Sequence, residues 1–73
     1  MGLSEKEQIE KLKEVALGTL IPDVKKKVID VLAIYGEEAI PAIAEIIERT
    51  ISRDVKEYGL KVIEQIKKGS ELI

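Results

Sequence analysis

Apolar residues recur at steps of three and four positions along the chain, with Glu and Lys between them. This spacing places the apolar side chains on one face of an α-helix. Four such stripes, joined by short connections, predict an all-α fold of four amphipathic helices. The stripes are Ile9, Leu12, Val15, Ala16 and Leu20; Val24, Val28, Val31, Leu32 and Tyr35, flanked by Ile29 and Ile34; Ile40, Ile43, Ile46, Ile47 and Ile51; and Val55, Val62, Ile63 and Ile66.

Residues that start and stop helices mark the predicted bounds. Ser4 and Glu7 form a capping-box pattern ahead of helix one, and Gly18 follows its end. Pro22 suits the first turn of helix two, which should run to about Tyr35 and stop at Gly36, a residue able to adopt the left-handed conformation of a helix end. The remaining signals are Glu37-Glu38 at the start of helix three, Ser52 as the cap of helix four, and Lys67-Lys68-Gly69 as its stop.

The position of Pro41 is compatible with two different starts of helix three. Within the first turn a proline is tolerated, whereas one turn deeper it removes a hydrogen bond and bends the helix. The pattern alone does not choose between these positions.

The chain repeats itself at an offset of 31 residues. At that offset residues 9–25 superimpose on residues 40–56 without a gap, Thr19 lies over Thr50, and the apolar faces stay in register. We therefore expect one domain, residues 1–73, built from an internal repeat of residues 9–39 and 40–70. Each copy of the repeat is one helix pair.

These repeated residues resemble HEAT-like repeats, which stack antiparallel helix pairs into a solenoid used for protein recognition. Asp-Val-Lys at Asp23 and Asp54 resembles the opening of an A-type helix, and Gly36, Ala39 and Pro41-Ala42-Ile43 resemble the turn and start of a B-type helix. The resemblance implies a four-helix antiparallel, right-handed stack in the order B-A-B-A, with residues 71–73 as the stub of a third B helix. A simple four-helix bundle is the alternative fold.

The amino-acid composition narrows the range of possible functions. The 73 residues include 12 Lys and Arg, 14 Asp and Glu, and neither His nor Cys, which gives a net charge of -2. Without His and Cys the chain lacks ordinary zinc ligands and the Ser-His and Cys-His nucleophiles, so we expect no enzyme and no catalytic, metal or cofactor site. No apolar run reaches membrane-spanning length, and no signal peptide is visible, so we expect a cytoplasmic protein that does not bind membranes. The excess of Ile, Lys and Glu is typical of hyperthermophile proteins.

The predicted function is a non-enzymatic protein–protein interaction or assembly module whose protein partner is unknown. A stack of only two helix pairs leaves an apolar side uncovered at each end, so self-association into a homo-oligomer is expected. The candidate self-association residues are Leu3, Leu17, Ile21, Leu72 and Ile73.

The distribution of charge supports an alternative function. Helices one and three are rich in Glu, while helices two and four carry most of the Lys. Lysine-rich faces predict weak, sequence-nonspecific nucleic-acid binding, although the net negative charge opposes it and the faces are also consistent with ordinary solvated surfaces. Helix-turn-helix binding is less favoured, because the would-be recognition helix carries Arg49 alone against four Glu. The candidate interaction surface is Lys25, Lys26, Lys56, Tyr58, Lys61 and Lys67.

The positions of three single residues can also be predicted. Tyr35 lies on an apolar stripe and is predicted to be core, whereas Tyr58 lies on the flank of helix four and is predicted to be a surface contact. Gly59 stands in the middle of helix four, where glycine costs about 1 kcal/mol relative to alanine. A close approach by a neighbouring helix would account for it.

Overall fold

The computed structural model describes residues 2–71 and the side chains as far as Gly69. Within that range the chain forms α1 (Glu5–Leu17), α2 (Pro22–Ala33), a short 3-10 helix (Gly36–Ala39), α3 (Ile40–Arg49) and α4 (Arg53–Glu71). The predicted all-α fold of four helices is confirmed. Leu72 and Ile73, two of the predicted self-association residues, lie outside the described residues.

Hydroxyl caps start α1 and α4 at the predicted places. The Ser4 hydroxyl accepts a hydrogen bond from the backbone N–H of Glu7 at 3.2 Å and donates one to the Glu7 carboxylate. The Ser52 hydroxyl accepts from the backbone N–H of Val55 at 3.3 Å. Each hydroxyl satisfies an N–H group that has no partner within its own helix.

The connection between α2 and α3 is longer than the pattern predicts, because α2 ends at Ala33 and α3 begins only at Ile40. Gly36 follows the end of α2 with φ 69°, the left-handed conformation expected of it. Glu37 and Glu38 then lie in the 3-10 helix, so α3 begins at Ile40 rather than at these two acids. Pro41 consequently falls in the first turn of α3, where its missing N–H leaves no helical hydrogen bond unmade.

The predicted stop of helix four is wrong. α4 continues through Lys67, Lys68 and Gly69 to Glu71. Among the described glycines only Gly36 has a positive φ, so Gly69 does not turn the chain and is accommodated as an ordinary helical residue. Glu71 therefore belongs to α4 and does not begin a third B helix.

The four helices form a slab of two layers. α1 packs against α2 and α3, and α4 packs against the same two helices, so that α1 adjoins α3 and α2 adjoins α4. We take α1 and α3 as one layer and α2 and α4 as the other. The slab measures 35 × 33 × 16 Å over its Cα atoms. Two layers of helices separated by an ordinary interaxial distance span about 15 Å, which matches the shortest dimension.

The core lies between the layers and is almost wholly aliphatic. Its largest fully buried side chains are Ile29, Leu32, Ile43, Ile46 and Val55. The pattern placed Ile29 only on the flank of the α2 stripe, yet Ile29 is fully buried. It is buried because α2 is covered both by the α1/α3 layer and by α4.

Several predicted inward residues point to solvent instead. Leu20 is 92% exposed and Ile51 97% exposed, because α1 ends at Leu17 and α3 at Arg49, before the helical period reaches these positions. Both residues lie in loops, where the helical spacing no longer sets side-chain direction. Val15 and Val31 lie inside helices and are exposed as well, and Ile34, on the flank of its stripe, is also exposed.

The loops repeat at the same offset as the sequence. The Thr19 hydroxyl accepts from the backbone N–H of Ile21 at 3.2 Å, and the Thr50 hydroxyl accepts from that of Ser52 at 3.2 Å. α2 begins at Pro22 and α4 begins 31 positions later at Arg53. The two helix pairs are thus connected internally in the same way.

Candidate interaction surfaces

Tyr58 links α4 to α2. Its hydroxyl donates a hydrogen bond to the Asp30 carboxylate, and Nζ of Lys26 lies 5.9 Å from the centre of its ring. The hydrogen bond to Asp30, followed by burial and the nearby negative charge, raises the pKa of Tyr58 above its ordinary value. The side chain is half-buried, so much of it is engaged within the chain rather than left free as a surface anchor.

The predicted lysine surface is divided. Lys25 is only 8% exposed, and its stem is covered by neighbouring residues. Lys26 and Lys61 border a shallow depression with Asp54, Glu57 and Tyr58, so carboxylates alternate with the positive charges there.

Lys56, by contrast, is exposed on another side of α4. It precedes Lys61 by five residues, a rotation of about 140° around the helix. Lys67 is also exposed, eleven residues after Lys56 and close to the same side. The structure therefore does not bring the six predicted residues together on one face.

Lys13 connects α1 to α3, a contact that the sequence analysis did not identify. Its Nζ lies 3.1 Å from the Glu10 carboxylate and 3.4 Å from that of Glu45. The hydrogen bond to Glu10 raises the pKa of Lys13 and burial opposes it, while the bond to Glu45 and both negative charges add to the rise. Arg49 also approaches Glu45, at 3.7 Å. A groove of about 570 Å³ runs between α1 and α3 at this place.

The two exposed loop residues border one apolar groove. Leu20 and Ile51 hold equivalent positions in the two copies of the repeat, one in each loop. The groove between them has a volume of about 390 Å³, and its lining is completed by Pro22, Lys25, Thr50 and Ser52.

The remaining predicted self-association residues differ in exposure. Leu3 and Ile21 are exposed, as a contact residue must be. Leu17 is half-buried against the core and contributes to the fold instead. The prediction of self-association itself is not decided by these positions.

Equivalent residues of the two helix pairs are buried unequally. On α1 and α2, two apolar residues are more exposed than their equivalents on α3 and α4. Val15 is 54% exposed, whereas its equivalent Ile46 on α3 is fully buried. Val31 is 41% exposed, whereas its equivalent Val62 on α4 is 8% exposed. We call the side of α1 and α2 that carries Val15 and Val31 the first edge.

On α4 the difference runs the other way: two of its residues are more exposed than their equivalents on α2. Leu60 is 58% exposed, whereas its equivalent Ile29 on α2 is fully buried. Lys56 is exposed, whereas its equivalent Lys25 is buried. We call the side of α4 that carries Lys56 and Leu60 the second edge.

Helical geometry places the two edges on opposite sides of the slab. Ile29 of α2 faces α4, since its Cδ1 lies 3.5 Å from the position that a β-carbon at Gly59 would occupy. Val31 follows two residues later, a rotation of about 160°, and so points away from α4. By the same step Leu60 points away from α2, because Tyr58 faces α2 through its bond to Asp30.

Within the described residues no group of three or more Asp or Glu side chains is arranged to hold a metal ion. No helix in the described part of the chain is both long enough and apolar enough to span a membrane. Comparison with protein-family models, curated proteins and solved structures finds no match to this chain.

Proposed function

We propose that this chain is a non-enzymatic protein assembly module that binds through the two edges of a short stack of helix pairs. The observation that carries the proposal is the unequal burial of equivalent residues. Val31 and Leu60 are exposed at positions whose equivalents, Val62 and Ile29, are buried where the two helix pairs meet. Each edge thus presents the kind of surface that the chain itself uses for helix packing.

The packing of the helices supports the stack. α1 lies beside α3 and α2 beside α4, so each helix of the first pair adjoins its own equivalent in the second. Repeating units related in this way leave a free side at each end of the array. The HEAT-like relationship and its right-handed, antiparallel stacking remain part of this proposal, as does the cytoplasmic location.

The free energy of apolar burial also favours a partner that covers the edges. Burial of a Val or Leu side chain contributes roughly 1.5–3 kcal/mol when it is complete. Val15, Val31 and Leu60 are each between two-fifths and three-fifths exposed, so a partner that covered them would recover a substantial part of that energy.

Nucleic-acid binding, the alternative function, draws less support. The lysines are divided between different sides of α4, and Asp54 and Glu57 lie beside Lys61. Phosphate binding depends on clustered positive charge, which these carboxylates reduce.

Photocrosslinking in the protein's own cells tests the assembly function. A photoreactive amino acid is placed at position 31, 60 or 65 in separate variants. Gln65 is the matched control, because it is exposed on α4 but lies about 140° around the helix from Leu60. We expect discrete crosslinked protein products from positions 31 and 60 and none from position 65. Equal products from all three positions, or none from any, would contradict the proposal.

A further inference from the structure

We infer that a second copy of this chain occupies each edge, stacked head to tail so that the first edge of one copy packs against the second edge of the next. This inference rests on the proposed assembly function and names its partner. It follows from comparing the contact between α2 and α4 inside the chain with the surfaces left at the two ends.

The internal contact has two complementary sides. Ile29 of α2 approaches Gly59 of α4. Lys25 lies one turn before Ile29, Val62 lies one turn after Gly59, and both are buried. On the outer side of α4 the equivalents of Lys25 and Ile29 are Lys56 and Leu60, both exposed. The equivalent of Val62 is Val31, exposed on the outer side of α2. The second edge therefore repeats one side of the internal contact, and the first edge repeats the other.

In the layer formed by α1 and α3, a buried residue of the second helix pair again has an exposed equivalent in the first. Ile46 of α3 is buried, and its equivalent on α1, Val15, is exposed at the first edge. Both layers thus leave the same end of the slab open. A partner that covers the first edge must therefore contact both α1 and α2.

One position shows how the copied contact differs from the internal one. Inside the chain Cδ1 of Ile29 lies 3.5 Å from the position that a β-carbon at Gly59 would occupy, and glycine leaves that position empty. The equivalent of Gly59 on α2 is Val28, which carries a side chain and is itself buried. Leu60 of a second copy would therefore sit less deeply than Ile29 does. We expect association that is weaker than the internal contact and depends on concentration.

A head-to-tail contact also fixes the form of the assembly. Each copy uses two different surfaces, so the contact is heterologous and adds further copies unless the rotation closes a ring. A two-fold symmetric dimer would instead pair one edge with the same edge of its partner. The two arrangements respond differently to substitutions at a single edge.

Sedimentation velocity over a concentration series, with Val31→Glu and Leu60→Glu variants, tests this arrangement. Wild type should show an average mass that rises past that of a dimer. Either variant alone should remain monomeric, because every contact needs one intact surface of each kind. A mixture of the two should form a dimer of one copy of each and nothing larger. Gln65→Glu is the control and should behave as wild type.

Three other outcomes would each overturn a stated part of the inference. A wild type that stays monomeric at every concentration overturns the second copy as partner. A variant that still dimerises alone, with no recovery on mixing, overturns the head-to-tail arrangement. Crosslinks from positions 31 and 60 to a different protein, with wild type monomeric, would leave the assembly function standing and reject only this inference.

Cysteine crosslinking provides a check that does not depend on charged substitutions. The chain contains no Cys, so Val31→Cys and Leu60→Cys each introduce a single thiol. Under mild oxidation the mixed disulfide between the two variants should form faster than either homodimer. Faster formation of a homodimer would overturn the head-to-tail arrangement.

Discussion

Ile47 of α3 lies directly against the α-carbon of Gly59 on α4. A methyl carbon added at Gly59 would lie 2.5 Å from Cγ1 and 2.6 Å from Cδ1 of Ile47, distances shorter than carbon atoms tolerate. The close helix approach predicted from the mid-helix glycine is therefore confirmed. The neighbouring helix is α3, and Ile29 of α2 also reaches the same glycine.

Replacing Gly59 with leucine should destabilise the fold. The new side chain would overlap Ile47, and inserting extra carbons into packed space costs about 1–3 kcal/mol. Chemical denaturation should show a lower free energy of unfolding for Gly59→Leu than for wild type. Gly69→Leu is the matched control, since nothing lies within 4 Å of the position that its β-carbon would occupy. An equal loss at both sites would refute steric overlap as the cause.

Two isoleucines five residues apart should respond differently to truncation. Ile46→Ala should lower the free energy of unfolding by about 2–5 kcal/mol, because Ile46 is fully buried. Ile51→Ala should change it by about 0.5 kcal/mol or less, because Ile51 is an exposed loop residue. Urea denaturation of both variants measures the difference. Similar losses would contradict the placement of Ile51 outside the core.

The bond from Tyr58 to Asp30 should be visible in the titration of the tyrosine. In a Tyr35→Phe background Tyr58 is the only tyrosine, so phenolate absorbance reports its pKa alone. We expect that pKa above the ordinary value of 10.0, and Asp30→Ala should lower it. An unchanged titration in Asp30→Ala would contradict the hydrogen bond as the main cause.

The same shift makes stability depend on pH. Because the folded pKa of Tyr58 exceeds the unfolded one, the contribution is complete below the unfolded value and is lost as pH rises through the folded pKa. Wild type should therefore lose free energy of unfolding faster than Tyr58→Phe as the pH rises above 10.0. Comparing the two proteins removes the effect of lysine titration, which both share. Parallel curves would refute the linkage.

Removing the Thr50 hydroxyl should weaken the fold at the second loop. Thr50→Val keeps the shape of the side chain but leaves the N–H of Ser52 without its acceptor, at a cost of about 0.5–1.5 kcal/mol. Thr19→Val removes the equivalent bond in the first loop, where the threonine is less buried, and should cost less. Thermal denaturation can rank the two variants. A larger loss for Thr19→Val would contradict burial as the deciding factor.

The starts of α1, α2 and α4 were predictable because each depends on a few adjacent residues, whereas the start of α3 was placed three residues too early, at Glu37. Ser4, Pro22 and Ser52 act within one turn of their own helices, so their effect can be judged without the tertiary structure. Helix ends were less predictable. Gly36 turns the chain and Gly69 does not, although both follow an amphipathic helix pattern.

The sequence pattern could not predict which of two equivalent positions is buried. The repeat pairs Val31 with Val62 and Ile29 with Leu60, and periodicity treats the members of each pair alike. They differ in the fold because one member of each pair faces the other helix pair and the other faces outward. The same cause divided the predicted lysine surface, since Lys25 is covered where Lys56 is not.

The matching bonds made by Thr19 and Thr50 bear on how such a chain can change its length in evolution. Each loop carries its own anchor, so a duplicated gene segment of 31 codons would encode a helix pair together with the turn that orients it. The turn inside the added pair would need no change elsewhere, and the turn between pairs would need a residue that acts as Gly36 does. Insertion or deletion of whole segments is therefore a short mutational path between a small module and a longer array.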